Sequence, residues 1–288
     1  MSSRTTAFIG LGAMGAGMAH SLLDAGFDVT VHNRTASRAA PLAEAGAHVA
    51  ASAARAAADR DTVVLSLSDE TAVEEVLFGQ VLPVLRPGAT VVDTSTVSPR
   101  YARACARRLA AAGVRRVEAC VVGNPLQARQ GALRVFAAGE EQDIEGVRDL
   151  LEAIGTEVVT VGAPGTAATV KLVLNLLLGA QVASLAEAVA YGVRAGLDRD
   201  QLLASVAGSG FSSAVLRFRA ELMRKDSYEP AFFRSVLMEK DLRLAVSDGA
   251  GLGVPMPVLE TVRSRFEDVV RAGDGDKDAA VVVRHTGR

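Results

Sequence analysis

The chain has 288 residues, of which 49% are hydrophobic and 22% charged, with a formal net charge of −2. That length suits one or two domains with a sizeable core, and that composition excludes a disordered chain. The near-neutral charge excludes an electrostatic pull, so neither nucleic acid nor a membrane is expected as a partner.

The first residues, MSSRTTAFIG, enter an apolar strand at once, without a basic leader or an apolar signal core. Up to about residue 162, the β-rich runs TAFIG, DVTVHN, DTVVLSLS, ATVVDTS, RRVEACVV, LRVFAAG and EVVTVG alternate with segments of helical period. Helices are predicted near 15–25, 71–77, 99–112 and 141–154. Such alternation predicts an α/β domain with a mostly parallel, doubly wound sheet of the Rossmann type.

After the first run, Gly10, Leu11, Gly12, Ala13, Met14 and Gly15 form a Gly-x-Gly-x-x-Gly turn that opens a helix. A second strand follows at dinucleotide-fingerprint distance. Gly10 permits the tight turn, Gly12 lets a pyrophosphate approach the backbone, and Gly15 lets the helix pack on the sheet. The second strand ends in His32-Asn33-Arg34-Thr35, followed by Arg38, with no carboxylate to repel a 2′-phosphate. Arg34 can hold that phosphate by charge-assisted hydrogen bonds. With Asn33, Thr35 and Arg38 completing the loop, NADP(H) is predicted over NAD(H).

Further along, VVDTSTVSP places Ser95 and Thr96 at the carboxyl end of a strand, where open α/β sheets bind ligands. Residues 117–139 read as a strand, a glycine turn through Val122, Gly123 and Asn124, and a second strand. The turn suits close approach of a small ligand, yet it offers no hydroxyl or charge before Asn124. Cys105 and Cys120 have neither disulfide-framework nor metal-ligand spacing and suit a reducing cytoplasm. None of the four histidines sits in a triad or metal pattern, so no metal site is expected.

After GAPGTAA the period changes. Residues 166–196 read as one helix about 45 Å long, and helical segments follow near 199–207, 212–225, 230–251 and 257–272. The expected division is therefore a nucleotide-binding domain, 1–164, and an all-helical domain, 165–288, with a polar tail, AGDGDKDAA, near its end. Residues 166–185 approach the length of a membrane span, but Lys171, Asn175 and Gln181 interrupt them, which predicts a core helix instead. A helix so long and apolar also predicts a homodimer or homotetramer.

On that helix Lys171 and Asn175 are four residues apart and share a face. Their apolar neighbours predict burial on every side, which would lower the lysine pKa toward neutrality. Later, Phe232-Phe233 precedes MEKDLRLA, whose Lys240 and Asp241 read on their own as a solvated helix face. A nicotinamide site together with a buried lysine predicts a reductase. Hydride would pass to a carbonyl carbon while Lys171 protonates the alkoxide and Asn175 orients the lysine or the substrate oxygen.

In order and over nearly the full length, FIGLGAMGAGMA, DTSTVSP, the glycine segment at 118–139, GTAATVKLVLN and EKDLRLA resemble the β-hydroxyacid dehydrogenase family. The NRT loop, GALRVFAAGE and the stretch ending in MEKDLRLA most resemble its glyoxylate/succinic semialdehyde reductase branch, which prefers NADPH. The resemblance implies a Rossmann domain, an all-helical domain and an active site between them. It implies Lys171 as the catalytic lysine, Asn175 as its neighbour one turn on, and Ser95 and Thr96 near nicotinamide and substrate. Lys240 would lie near both, and Phe232 would contact substrate.

The family's Asp-Ala-Pro-Val-Ser-Gly-Gly stands here as Glu118-Ala119-Cys120-Val121-Val122-Gly123-Asn124, with Val122 in the serine position. The amides of Gly123 and Asn124 are expected to bind an anion without that hydroxyl. The predicted activity is NADPH-dependent reduction of a small aldehyde acid of the succinic semialdehyde or glyoxylate type. Two alternatives stay open: reduction of an imine or bulkier ketone on the same scaffold, and a cofactor-binding scaffold without catalysis. Imine reductases usually carry Asp or Tyr where Lys171 stands, so the lysine argues against the first alternative and Val122 argues for it.

Overall fold

The computed structural model describes residues 5–287; the reading of the N-terminus as leaderless falls partly outside that range. The chain forms two compact units, one ending at Lys171 and one beginning at Leu172. The eight strands of the first are β1 (Thr5–Ile9), β2 (Asp28–His32), β3 (His48–Val49), β4 (Thr62–Leu65), β5 (Thr90–Asp93), β6 (Arg115–Val122), β7 (Leu133–Ala138) and β8 (Gly155–Gly162). They form one sheet in the order β3-β2-β1-β4-β5-β6-β7-β8.

Strands β1 to β6 run parallel, β7 is antiparallel to β6, and β8 is parallel to β7. Of the eight, β3 alone went unpredicted; it is two exposed residues long, too short to carry a burial pattern. All four residues of β4 and of β5 are buried, as expected for strands covered on both faces. The period of two is visible in β1, where Phe8 joins Val64 and Val92 in one apolar cluster while Ala7 and Ile9 join Val63 and Val91 in the other. Of the predicted helices, 141–154 is broken at Val147, and 71–77 begins as Glu70–Val73 and widens into a π-type turn, Glu74–Val81.

Chain order reverses between β1 and β4, so the carboxyl ends of these neighbouring strands form the switch point where open α/β sheets bind ligands. The bare turn predicted after β6 contains a short helix, Pro125–Arg129. The first unit also extends seven residues beyond the predicted boundary at 164. The Glu118 carboxylate on β6 accepts hydrogen bonds from the Gly165 amide at 2.7 Å and the Ala168 amide at 2.5 Å, fastening the start of the long helix to the sheet.

The long helix spans Thr166–Arg194. In the second unit it is followed by Arg199–Gly208, Ala214–Arg224, Ser235–Gly251 and Pro257–Val269. Their core gathers Val182, Leu185, Val189, Met223, Met238, Leu242 and Phe266. Burial on every side is corrected here: Val173 is 49% exposed, Leu177 57% and Tyr191 78%. Helical spacing puts Val173 and Leu177 on one face, which the chain leaves uncovered. Among the described residues this is the one helix able by length and composition to cross a membrane, and half of its most apolar window is buried inside the protein.

The polar tail is corrected as well. Asp278 is fully buried, pairs with Arg219, and accepts from the amides of Phe232, Phe233 and Ala280 at 3.0 Å. Residues 279–282 behind it are core. One aspartate that satisfies three amides and a guanidinium turns a hydrophilic-looking segment inward.

Candidate active site

The β1 turn is built around its glycines. Gly10 has φ +100°, and its amide donates to the His32 carbonyl at 3.0 Å. A Cβ there would lie 2.2 Å from the Ser66 carbonyl oxygen, and one on Gly15 would lie 2.0 Å from that of Gly10. Around Gly12 a Cβ would meet nothing within 4 Å. Gly12 is the N-cap of Ala13–Asp24, whose start has neither a side-chain cap nor an acid in its first turn. A helix N-terminus with open space and no carboxylate fits the pyrophosphate of a dinucleotide. The second loop is tied to this turn: Asn33 Oδ1 accepts from the Leu11 amide at 2.9 Å, and Arg38 Nη1 donates to the Leu11 carbonyl at 3.4 Å. Arg34 and Thr35 are exposed at the end of β2, whereas Ala13 and Met14 begin the helix.

At the end of β5, Ser95 is buried and structurally engaged. Its hydroxyl accepts from the Leu67 amide at 3.0 Å, and its own amide donates to Asp93 Oδ1 at 3.0 Å. Thr96 beside it is half-buried. Asp93 belongs to a buried charge cluster that sequence reading missed. Arg116 donates to Asp93 Oδ2 at 2.8 Å and to Glu118 Oε2 at 3.3 Å, and all three residues are at most 6% exposed. Burial by itself would lower the Arg116 pKa; Asp93 and Glu118 outweigh it and keep the guanidinium charged. The available signal was polar residues within buried strands: Arg116, Glu118, Cys120 and Val122 alternate onto one face of β6.

That cluster positions Lys171. Glu118 holds the first turn of the long helix, and one turn later Lys171 Nζ donates to the Val121 carbonyl on the same strand at 2.9 Å. Lys171 is half-buried, which corrects the fully buried lysine expected from its apolar neighbours. Burial raises the pKa of the Cys120 thiol, Glu118 adds to the rise, and Lys171 opposes it.

The loop after Val121 also differs from expectation. Asn124 caps Pro125–Arg129, its Oδ1 accepting from the amides of Leu126 and Gln127 at 3.0 Å. Gln127 Oε1 reciprocates by accepting from the Asn124 amide at 3.0 Å, completing a capping box. The Asn124 amide, expected to bind an anion, is therefore already engaged. The Asn-Pro-Leu-Gln spacing was the signal that could have revealed this.

In the second unit Asn175, Lys240 and Asp241 are gathered and buried. Asn175 Nδ2 donates to Asp241 Oδ2 at 2.6 Å, and Lys240 Nζ lies 3.0 Å from Asp241 Oδ1 as an ion pair. The solvated face expected for Lys240 and Asp241 is thus an interior site. A carboxylate can only accept, so the amide nitrogen of Asn175 must face Asp241 and its oxygen is presented elsewhere. Phe232 is half-buried, and its ring packs edge-on against Phe218 at 4.9 Å.

Residues 5–162 match the family described as the NAD binding domain of 6-phosphogluconate dehydrogenase. Residues 165–286 match that described as NAD-binding of NADP-dependent 3-hydroxyisobutyrate dehydrogenase. The chain is 32% identical to L-threonate dehydrogenase of Cupriavidus necator, over 98% of this chain and 96% of that one. It is 32% identical to glyoxylate/succinic semialdehyde reductase 1 of Arabidopsis thaliana, over 96% of each. The crystal structure of a 3-hydroxyisobutyrate dehydrogenase from Salmonella typhimurium matches with a TM-score of 0.92 at 30% identity, covering 98% of this chain and all of that one.

Proposed function

We propose a specific reductase activity from the premise that the chain belongs to the β-hydroxyacid dehydrogenase family, as both family matches and its full-length relatives establish. The protein is an oxidoreductase that binds a nicotinamide cofactor and acts on CH–OH or carbonyl groups. Within that class, our reading is NADPH-dependent reduction of a small aldehyde or ketone. The bound cofactor supplies hydride. Gly12 and the start of Ala13–Asp24 would hold its pyrophosphate, and exposed Arg34 supports NADPH, because 32–38 holds no carboxylate.

The observation that carries the reading is Lys171 Nζ, 2.9 Å from the Val121 carbonyl on a helix whose first amides are fixed by Glu118. A cation steered this way can hand a proton to a developing alkoxide at little cost in reorganisation. Asn175 follows one turn later on the same helix, and with its amide nitrogen donating to Asp241 its oxygen is left to accept. The sequence suggested an aldehyde acid of the succinic semialdehyde or glyoxylate type. Lys171 supports its reacting carbonyl. The carboxylate at the other end gains no such support, which favours the alternative of a less polar or bulkier carbonyl.

In Lys171→Ala, kcat for aldehyde reduction should fall by about 10²–10⁴, the span of general acid catalysis. NADPH affinity should hold, and unchanged turnover would remove the proton donor from the scheme. We also take the protein to be a cytoplasmic homodimer or homotetramer without nucleic-acid or membrane partners. Buried free Cys105 and Cys120 support the compartment, and the uncovered Val173 and Leu177 support association.

A further inference from the structure

We infer that Arg116 is a positioning residue: its one buried guanidinium ties the loops at the carboxyl edge of the sheet to the start of the helix that carries Lys171. The inference rests on the reading of Lys171 as proton donor and names the device that holds this donor in register with the ligand-binding edge. Every residue of the tie belongs to the first unit.

Parallel register sets Asp93 on β5 directly opposite Glu118 on β6, and both are 1% exposed. Two acids so placed repel each other, and burial makes charging either one harder. Arg116 stands two residues before Glu118 on the same face of β6. Its Nη2 donates to Asp93 Oδ2 at 2.8 Å, and its Nη1 donates to Glu118 Oε2 and to the Ala102 carbonyl, each at 3.3 Å. A planar fork serves two acids at once in fixed geometry, which the point charge of a lysine does not.

What the two acids hold carries the inference. Asp93 Oδ1 accepts from the Ser95 amide, and the Ser95 hydroxyl accepts from the Leu67 amide, both at 3.0 Å. Asp93 thus fixes the loops that leave β5 and β4, beside the switch point where open α/β sheets bind ligands. Glu118 accepts from the Gly165 and Ala168 amides, and one turn later Lys171 donates to the Val121 carbonyl. Stability alone does not explain the arrangement. Apolar residues often replace a buried ion cluster without loss, and Arg116 Nε is buried with no hydrogen-bond partner among the described residues. An apolar replacement could fill the space, but it could not fix two loops and a helix start relative to one another.

Arg116→Lys keeps the charge and loses the fork, so it tests the tie without leaving two bare carboxylates. In NADPH-dependent reduction of succinic semialdehyde, its kcat should fall by about tenfold to a hundredfold, the scale set by misplacing a catalytic group by about 1 Å, with KM moving less. In a Lys171→Ala background the same substitution should lower kcat by less than about twofold, because both changes act through one group. Asp93→Asn, which disturbs only the β5 arm, should lower kcat with the same dependence on Lys171. Wild-type kcat in both variants overturns the inference, and so does an equal loss in the two backgrounds, which is what a merely structural arginine gives. Wild-type turnover by Lys171→Ala itself removes the proton-donor reading and the inference with it. Amide hydrogen exchange on the NADP⁺-loaded protein reads the tie without turnover, and it alone decides should succinic semialdehyde not be reduced. In Arg116→Lys the amides of Ser95, Gly165 and Ala168 should exchange about tenfold faster, whereas the Gly10 amide, bonded to His32 outside the tie, should keep its rate. Unchanged exchange at either end of the tie, or equal acceleration at Gly10, overturns the inference.

Discussion

Two strand-to-helix turns in the first unit share a glycine at the end of a strand and differ in what their first amides bind. From β1, the chain passes Gly10 and Gly12 into the 12-residue helix Ala13–Asp24, with a glycine N-cap and no capping side chain. From β6, it passes Gly123 and Asn124 into the 5-residue helix Pro125–Arg129, with a complete capping box and proline in its first turn. A helix start without a side-chain partner, facing open space, can take an anion from outside. One whose amides are already satisfied by Asn and Gln is structural, whatever glycine precedes it. A glycine turn at a strand end is therefore an ambiguous sign of a ligand, and the residue at the N-cap resolves it.

A third helix start sharpens the contrast, and it carries the largest expected effect. The long helix takes its first partner from β6, through Glu118 to the amides of Gly165 and Ala168. In Glu118→Ala those amides and one arm of Arg116 lose a buried acceptor, which should cost about 3–5 kcal/mol, measured as a drop in denaturant midpoint. Glu118→Gln retains the shape and one acceptor oxygen and should lose less stability. Because Lys171 follows one turn later, kcat should fall in Glu118→Gln more than KM rises. A Glu118→Ala protein of wild-type stability would mean that β6 does not anchor this helix.

The glycines of the first turn provide the next test. Gly15→Ala places a Cβ against the Gly10 carbonyl at 2.0 Å and should destabilise by about 3 kcal/mol through overpacking. Gly12→Val meets no protein atom within 4 Å at its Cβ and should melt as wild type does. Its NADPH Kd should nevertheless rise at least about tenfold, equivalent to 1.4 kcal/mol. Normal NADPH binding by Gly12→Val would break the comparison, because that open space would then not be where the pyrophosphate sits.

How much of this was readable in the sequence depends on whether the cause was local. The glycine turn, the apolar strands and the long helix follow from period and from nearest neighbours, so they could be predicted. The two-residue β3 could not, since pairing with β2 defines it and no burial pattern marks it. Asp241 and Asp278 looked like solvated charges because their partners, Asn175 and Arg219, lie 66 and 59 residues away in the chain. The expected burial of the long helix on every side treated every apolar residue as covered, although Val173 and Leu177 face outward. The capping box was local and legible; a glycine read as a ligand turn obscured the Asn-Pro-Leu-Gln that followed it.

The smallest effect bears on that box directly. Asn124→Ala removes the acceptor of the Leu126 and Gln127 amides and should cost about 1 kcal/mol, as loss of an N-cap does. Asn124→Asp keeps two acceptor oxygens at the same place and should stay within about 0.5 kcal/mol of wild type. It adds a negative charge to the loop that follows the Val121 carbonyl bonded by Lys171. In Asn124→Asp, kcat/KM for succinic semialdehyde should therefore fall while that for its methyl ester stays level, because repulsion acts only on the charged compound. An equal loss for both substrates would mean the cap shapes the whole site. A loss confined to the acid would place the far end of the substrate against the box and make Asn124 the reason the two glycine turns serve different purposes.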